Sequence, residues 1–224
     1  MSLVLKQDRP AAATSQITID KLDNALGEKL PPKQNTLLLG PPLSGKSTLV
    51  IQFLASGLNA HEGAVLVTTT NSPNSITEKA RALGWNLEGY EKHGDLRYVH
   101  YNHNGVLTHG TAAVEPENLG SALMMLSGMI SGFPKQGRKV RFVFDNLTTL
   151  LDTNGLYKVA LFLHELMGRL KAANATSIFI LEDGDHDGEI TRVLRSMSDG
   201  VLKLDGSVNM MARGVPTSQL VPLS

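Results

Sequence analysis

Gly40-Pro41-Pro42-Leu43-Ser44-Gly45-Lys46-Ser47-Thr48 constrains this chain more than any other stretch, because it fills the pattern G-x-x-x-x-G-K-[ST] completely. The spacing has a physical reason. Two glycines let the backbone curl until consecutive N–H groups point inward at an anion. Lys46 adds a point charge for outer phosphates, the Ser47 hydroxyl can ligate Mg²⁺, and a helix starting here aims its positive end at the same place. The flanks agree with that use. Thr36-Leu37-Leu38-Leu39 is a short apolar run suited to a buried strand, and Leu49, Val50, Phe53 and Leu54 recur at helical spacing. A Gly/Pro turn with an incidental lysine is the bland alternative, and it leaves the strand and helix on either side unexplained.

A chain of 224 residues with 42% apolar content has ample material for one large α/β core. Its formal net charge is zero and its pI is about 7.1, which argues against binding nucleic acid or a polybasic membrane partner through overall charge. There are no cysteines, hence no disulfide and no thiolate metal site. No apolar run is long enough to span a bilayer, and Met1–Gln16 lacks the basic-then-apolar pattern of a secretion signal. The expectation is a cytoplasmic protein without membrane insertion. Residues 1–16 are expected to form a flexible lead and residues 17–224 a single domain.

Apolar runs alternate with helical patterns along the chain. Strands are expected at 37–39, 64–68, 96–100, 140–144 and 177–181. Helices are expected after the loop, from Ser72-Pro73 to Gly84, from Pro116 to Ile130, along the face Leu156, Val159, Leu163, Leu166, Met167 and Leu170, and from Gly188 to Met197. Residues 101–116 read as one long loop. Val201–Leu204, Asp205-Gly206 and Val208–Ala212 read as a C-terminal hairpin. This alternation predicts a doubly wound, mostly parallel sheet between helical layers.

A nucleotide site of this kind needs a second acid for the metal's water shell. Arg141-Phe142-Val143-Phe144-Asp145, an apolar strand ending in aspartate, supplies it. At this point a family resemblance becomes specific. Phe144-Asp145-Asn146-Leu147-Thr148-Thr149-Leu150-Leu151 resembles the I-D-S-L-T-x-L segment of RecA-superfamily ATPases of KaiC type. Leu22-Asp23-Asn24-Ala25-Leu26-Gly27 is similar to that family's L-D-x-L-L-G, and Ala80-Arg81-Ala82-Leu83-Gly84-Trp85-Asn86-Leu87 to its A-R-x-L-G-W-D. Arg213-Gly214 resembles the late K-x-R-G element. Thr68-Thr69-Thr70-Asn71 resembles the T-T-E-N segment of the FlaH-like members. The resemblance runs in order over residues 17–215. It implies a three-layer RecA-like fold, ATP with Mg²⁺ as ligand, and assembly into a ring (a hexameric one included) or filament, with nucleotide near subunit interfaces.

Two departures from the family pattern bear on activity. The family's acidic residues at the end of the second strand, which polarise the attacking water, are replaced here by Thr70 and Asn71. Neither accepts a proton usefully at neutral pH. An amide can still orient water, and Glu182, at the end of the fifth strand, is placed to sense the γ-phosphate or to act as base. Its alternative reading is the first residue of an exposed acidic loop. In the late element Met211 stands where the family has lysine, so only Arg213 is left to reach a neighbour's γ-phosphate; a plain surface arginine is the other reading. The expectation is Mg-ATP binding by a regulatory or assembly protein with slow or absent hydrolysis. The alternatives are an active oligomeric ATPase, with Glu182 as base and Arg213 in trans, and a recombinase paralogue binding single-stranded DNA.

The remaining constellations are weaker. Asp183, Asp185, Asp187 and Gly188 mimic the start of a calcium loop, but the twelfth position is Leu194, where a bidentate glutamate is required. Those acids with Glu182 and Glu189 would repel a phosphate backbone, so nucleic acid is disfavoured as a partner. His100, His103 and His109 have no regular ligand spacing. Met124, Met125, Met129 and Trp85 are read as packing residues. No Asn-Lys-x-Asp element favours guanine. The partners that the family resemblance implies are a nucleotide together with further copies of the chain or another protein.

Overall fold

Strands β1 (Asn35–Gly40) and β2 (Gly63–Thr68) are buried along their whole length, which is why they are apolar without alternation. Both belong to an eight-stranded sheet in a computed structural model that describes residues 32–101, 111–114, 117–182, 188–204 and 210–212. The lead 1–16, Leu22–Gly27, His103, His109, Asp183, Asp185, Asp187, the turn at Asp205-Gly206, and Arg213 lie outside the described residues.

The other strands are β3 (Leu96–Tyr101), β4 (Thr111–Val114), β5 (Val140–Asp145), β6 (Thr176–Glu182), β7 (Gly200–Leu204) and β8 (Met210–Ala212). Their order is β4-β3-β2-β5-β6-β1-β7-β8. Every pairing is parallel except the last, β7 with β8, which is the antiparallel hairpin expected at this end of the chain. The helices are α1 (Lys46–Asn59), α2 (Pro73–Ala82), α3 (Leu87–Lys92), α4 (Leu119–Gly132), α5 (Leu147–Asn154), α6 (Leu156–Ala172) and α7 (Gly188–Met197).

Strand alternation sends successive side chains to opposite faces, and two cores result. Leu38, Leu66, Tyr98, Val143 and Ile180 pack under α1, α2 and α3. Leu39, Val67, Val99, Phe144 and Phe179 pack under α4, α5, α6 and α7. Helices thus cover both faces, giving the three-layer α/β architecture expected. Phe144 sits at the centre of the second core, with its ring centroid 5.7 Å from Tyr101, 6.3 Å from Phe162 and 6.5 Å from Phe179. The predicted face of α6 is buried at Val159, Leu163, Leu166, Met167 and Leu170. Trp85 packs against the first core, and Met125 and Met129 against the second, whereas Met124 is exposed.

Several expectations require correction. The stretch 101–116 is not one loop, because Thr111–Val114 pairs with β3 as an edge strand. Thr-Ala-Ala-Val carries little apolar signal, and an edge strand needs only one neighbour. Helix α4 starts at Leu119 rather than Pro116, because the Asn118 side chain accepts from Ser121 N at 3.0 Å and caps it there. Two short helices, α3 and α5, were not anticipated. The Asn146 side chain caps α5 by accepting from Thr149 N at 3.2 Å.

Candidate functional site

All seven parallel strands present their carboxyl ends at one edge, and the loop Pro41–Gly45 leaves β1 there. One strand separates the loop from Asp145: β6 lies between β1 and β5, so Gly40 pairs in register with Glu182, and Asp145 ends the next strand over. Asp145 in turn pairs with Thr68, and Thr68 with His100. Thr68, Asp145 and Glu182 share strand parity with Leu66, Val143 and Ile180, so they face the α1–α3 side. The crevice outside the carboxyl ends of such a sheet is where ligands of doubly wound folds bind.

The loop has the backbone that its sequence requires. Leu43 and Gly45 adopt positive φ values of 63° and 90°. A Cβ on Gly40 would lie 2.7 Å from Ser44 Oγ and 2.9 Å from the Leu204 carbonyl oxygen, so this strand end admits glycine alone without rearrangement. Helix α1 begins directly at Lys46, with no side-chain cap and no acid in its first turn. Its leading N–H groups are consequently available to an outside anion. The Lys46 ammonium is buried and donates to the carbonyls of Gly40 at 2.7 Å and Pro41 at 2.6 Å, which holds it inside the curl of the loop. Ser44 Oγ is buried without a hydrogen-bond partner. An uncapped helix end, a caged ammonium and an orphaned hydroxyl together fit a polyphosphate. Ser47 and Thr48 follow in the first turn of α1, half-buried.

Asp145 is buried, and its pKa is pushed up to about 6. Burial is the main cause, the Glu182 carboxylate adds to it, and the cations Lys46 and Lys79 oppose it. Asp145 therefore feels the charges of Lys46, Lys79 and Glu182. Among the described residues no group of three or more His, Asp or Glu side chains forms a metal cage. A site made from Ser47, Asp145, water and phosphate oxygens is the arrangement Mg²⁺ favours, since it keeps several waters and takes few protein ligands.

The end of β2 is tied to the Asp145 strand. Thr69 N donates to the Asp145 carbonyl at 2.8 Å, and Thr69 Oγ1 accepts from Asn146 N at 3.1 Å. Thr68 Oγ1 accepts from Asn71 N at 3.1 Å, closing the turn that carries Thr70 and Asn71. The Asn71 amide group donates to Thr70 Oγ1 at 3.3 Å. Glu182 is half-buried, and its N–H donates to Thr148 Oγ1 at 3.3 Å, fixing the end of β6 to α5.

The structure thus gathers the loop 40–48, Asp145 and Glu182 at one edge of the sheet, with Thr70 and Asn71 on the adjoining turn. His100 lies on β3, in the strand expected at 96–100, and burial lowers its pKa. Lys79 was not anticipated. Its only sequence signal is its position on the helix that follows the Thr70-Asn71 turn.

This combination of fold and loop defines a phosphate-loop protein of RecA type. The family model described as "ATPase: KaiC" matches residues 15–215, and the chain belongs to that family. It is 25% identical over 234 residues to the circadian clock oscillator protein KaiC of Parasynechococcus marenigrum, an alignment covering 90% of this chain and 44% of that protein. It is 27% identical over 195 residues to a UPF0273 protein of Methanopyrus kandleri, covering 84% of this chain and 74% of that protein. The chain therefore spans less than half the length of the KaiC relatives it matches. A crystal structure of a KaiC-like protein from the hyperthermophilic archaeon Pyrococcus horikoshii shares the fold, with a TM-score of 0.66, 20% identity and coverage of 89% of this chain and 87% of that one. Among the described residues no helix is long and apolar enough to cross a membrane.

Proposed function

We propose that this chain binds Mg-ATP as a single nucleotide-binding domain (residues 17–224) and uses its nucleotide state to control contacts with further copies or a protein partner in the cytoplasm, hydrolysing ATP slowly or not at all. The observation that carries this reading is the buried Lys46 ammonium held by the Gly40 and Pro41 carbonyls at the foot of an uncapped helix. Gly40 to Thr48 would wrap the phosphates with backbone N–H groups and the Lys46 charge. Ser47 and Asp145 would hold Mg²⁺, which when bound neutralises charge on the outer phosphates. Thr70, Asn71 and Glu182 would border the γ-phosphate, and Arg213 would act on a neighbouring subunit.

Slow turnover follows from the side chains at the end of β2. Thr70 and Asn71 can orient a water but cannot take its proton. Glu182 is a carboxylate in register with Gly40, and that register supports a second reading, an active oligomeric ATPase in which Glu182 is the base. Single-stranded DNA binding, the third reading of the sequence, has no observation in its favour.

Calorimetric titration of protein stripped of nucleotide tests the first reading. Mg-ATP should bind with micromolar or tighter affinity. Failure to bind any purine triphosphate in the presence of magnesium would overturn it. Phosphate release measured with and without assembly separates the first reading from the second.

A further inference from the structure

Lys79 lies in the second turn of α2, yet it acts at the helix's other end. Side chains on a helix lean toward its N-terminus. The Lys79 ammonium accordingly reaches back past the first turn and donates to Asn71 Oδ1 at 3.4 Å. The helix that carries it is firmly seated. Ile76 and Ala80 are buried in the first core, Ser72 Oγ caps the helix by accepting from Ser75 N, and the Thr77 hydroxyl contacts the Tyr98 hydroxyl at 3.5 Å. Lys79 therefore projects from a fixed platform.

Lys79 is exposed, and its ammonium is held by a neutral group. Among the described residues, no carboxylate lies within ion-pair distance of it. Helix α2 has no acid in its first turn, so the helix end toward which the ammonium leans is itself positive. Its contact is a neutral amide oxygen at the long end of the hydrogen-bond range, a weak hold that a stronger anion can displace. The Asn71 that holds this ammonium closes onto Thr68, and Thr68 pairs in register with Asp145, so Lys79 is tied to the strand end beside Asp145.

We propose that Lys79 is the residue that reads the terminal phosphate, its ammonium exchanging Asn71 Oδ1 for a γ-phosphate oxygen when a triphosphate occupies the loop. The inference rests on the loop 40–48 being the nucleotide site. Lys46 serves both di- and triphosphate from within the loop. Lys79 approaches from the adjoining strand end and meets only the outermost phosphate. The exchange replaces a neutral hydrogen bond with a charge-assisted one and leaves the Thr70-Asn71 turn without its tie to α2. Nucleotide state is thereby coupled to that turn.

The test is calorimetry on the full chain, stripped of nucleotide, with Mg-ATP and Mg-ADP as probes, for wild type, Lys79→Met and Lys79→Arg. Methionine keeps the apolar stem and removes the charge. Wild type should prefer ATP. Lys79→Met should lose about tenfold in ATP affinity, the scale of one charge-assisted hydrogen bond, with ADP affinity changed less than twofold. Lys79→Arg should retain most of the preference. Equal losses for both nucleotides would show a structural role and overturn the proposal, as would a Lys79→Met protein with an unaltered ATP-to-ADP ratio. Wild type binding neither nucleotide would instead defeat the reading of the loop itself.

Discussion

Gly40 and Glu182 stand opposite each other at the ends of the paired parallel strands β1 and β6, so the loop and the carboxylate leave the sheet at the same level. This pairing makes Glu182 a natural candidate to act on whatever the loop holds. The Glu182→Gln variant keeps the shape and removes the charge. Wild-type turnover under saturating Mg-ATP is expected below about 1 s⁻¹, the low end for ordinary enzymes, because Thr70 and Asn71 supply no base. If Glu182 is the base, the variant loses most of this residual activity while retaining ATP affinity. Turnover unchanged by the substitution would leave Glu182 with no part in the reaction.

Lys46 has a different dependence. Its ammonium satisfies two loop carbonyls as well as offering charge to a ligand. The Lys46→Ala variant should therefore lose affinity for both ATP and ADP, by about a hundredfold or more for ATP, since one charged hydrogen-bonding group serving the β- and γ-phosphates is removed. Equilibrium dialysis with labelled nucleotide checks this. Unchanged affinity would mean that the anion is held without Lys46.

The buried strands were legible in the sequence because burial on both faces removes the need for alternation, leaving runs such as Leu37-Leu38-Leu39 and Ala64-Val65-Leu66-Val67. The phosphate loop was legible because its spacing reflects backbone geometry, seen here in the positive φ of Gly45 and the tight quarters of Gly40. Strand β4 was not legible, since Thr111–Val114 is held by pairing with β3 rather than by its own apolar character. Helix α3 is six residues long and follows a Gly84 that reads as a stop. Helix α5 is announced only by the cap at Asn146, inside a segment read for its metal ligand. Lys79 was hidden for a related reason: its contact with Asn71 depends on how far a side chain leans back along α2, which residue spacing does not reveal.

The edge of the sheet remote from the loop should control stability without touching binding. A Cβ on Gly63, the first residue of β2, would fall 2.2 Å from the Phe133 ring. That ring cannot swing aside freely. It is fully buried, and the guanidinium groups of Arg97 and Arg138 lie 4.1 Å and 5.3 Å from its centroid. Arg97 is itself fixed by donating to the Met129 carbonyl at 2.7 Å. Gly63→Ala should cost about 2 kcal/mol or more in urea unfolding, in the range of overpacked cores. ATP affinity, measured well below the melting temperature, should be unaffected. An unshifted unfolding midpoint would mean that Phe133 has room the structure does not reveal.

Asp145 sets stability and binding against each other, and pH exposes the conflict. Burial raises its folded pKa to about 6 from the ordinary 3.8, with Glu182 adding and Lys46 and Lys79 opposing. Between those values the native ligand-free protein holds a proton that the unfolded chain has released. The contribution of this group to stability is thus fully present below about pH 4 and is lost as pH rises through about 6. Above pH 7 the native state carries a buried, incompletely compensated carboxylate. Asp145→Asn removes that charge at nearly constant shape, so the ligand-free variant should be more stable than wild type at pH 7.5 by on the order of 2 kcal/mol. The advantage should shrink toward zero near pH 4, where the wild-type carboxyl is itself neutral. Urea unfolding of both proteins across this range checks the sign, and a difference independent of pH would show that Asp145 is not the titrating group. With Mg-ATP at pH 7.5 the order should reverse, because the carboxylate that destabilises the empty site is the one that holds the metal.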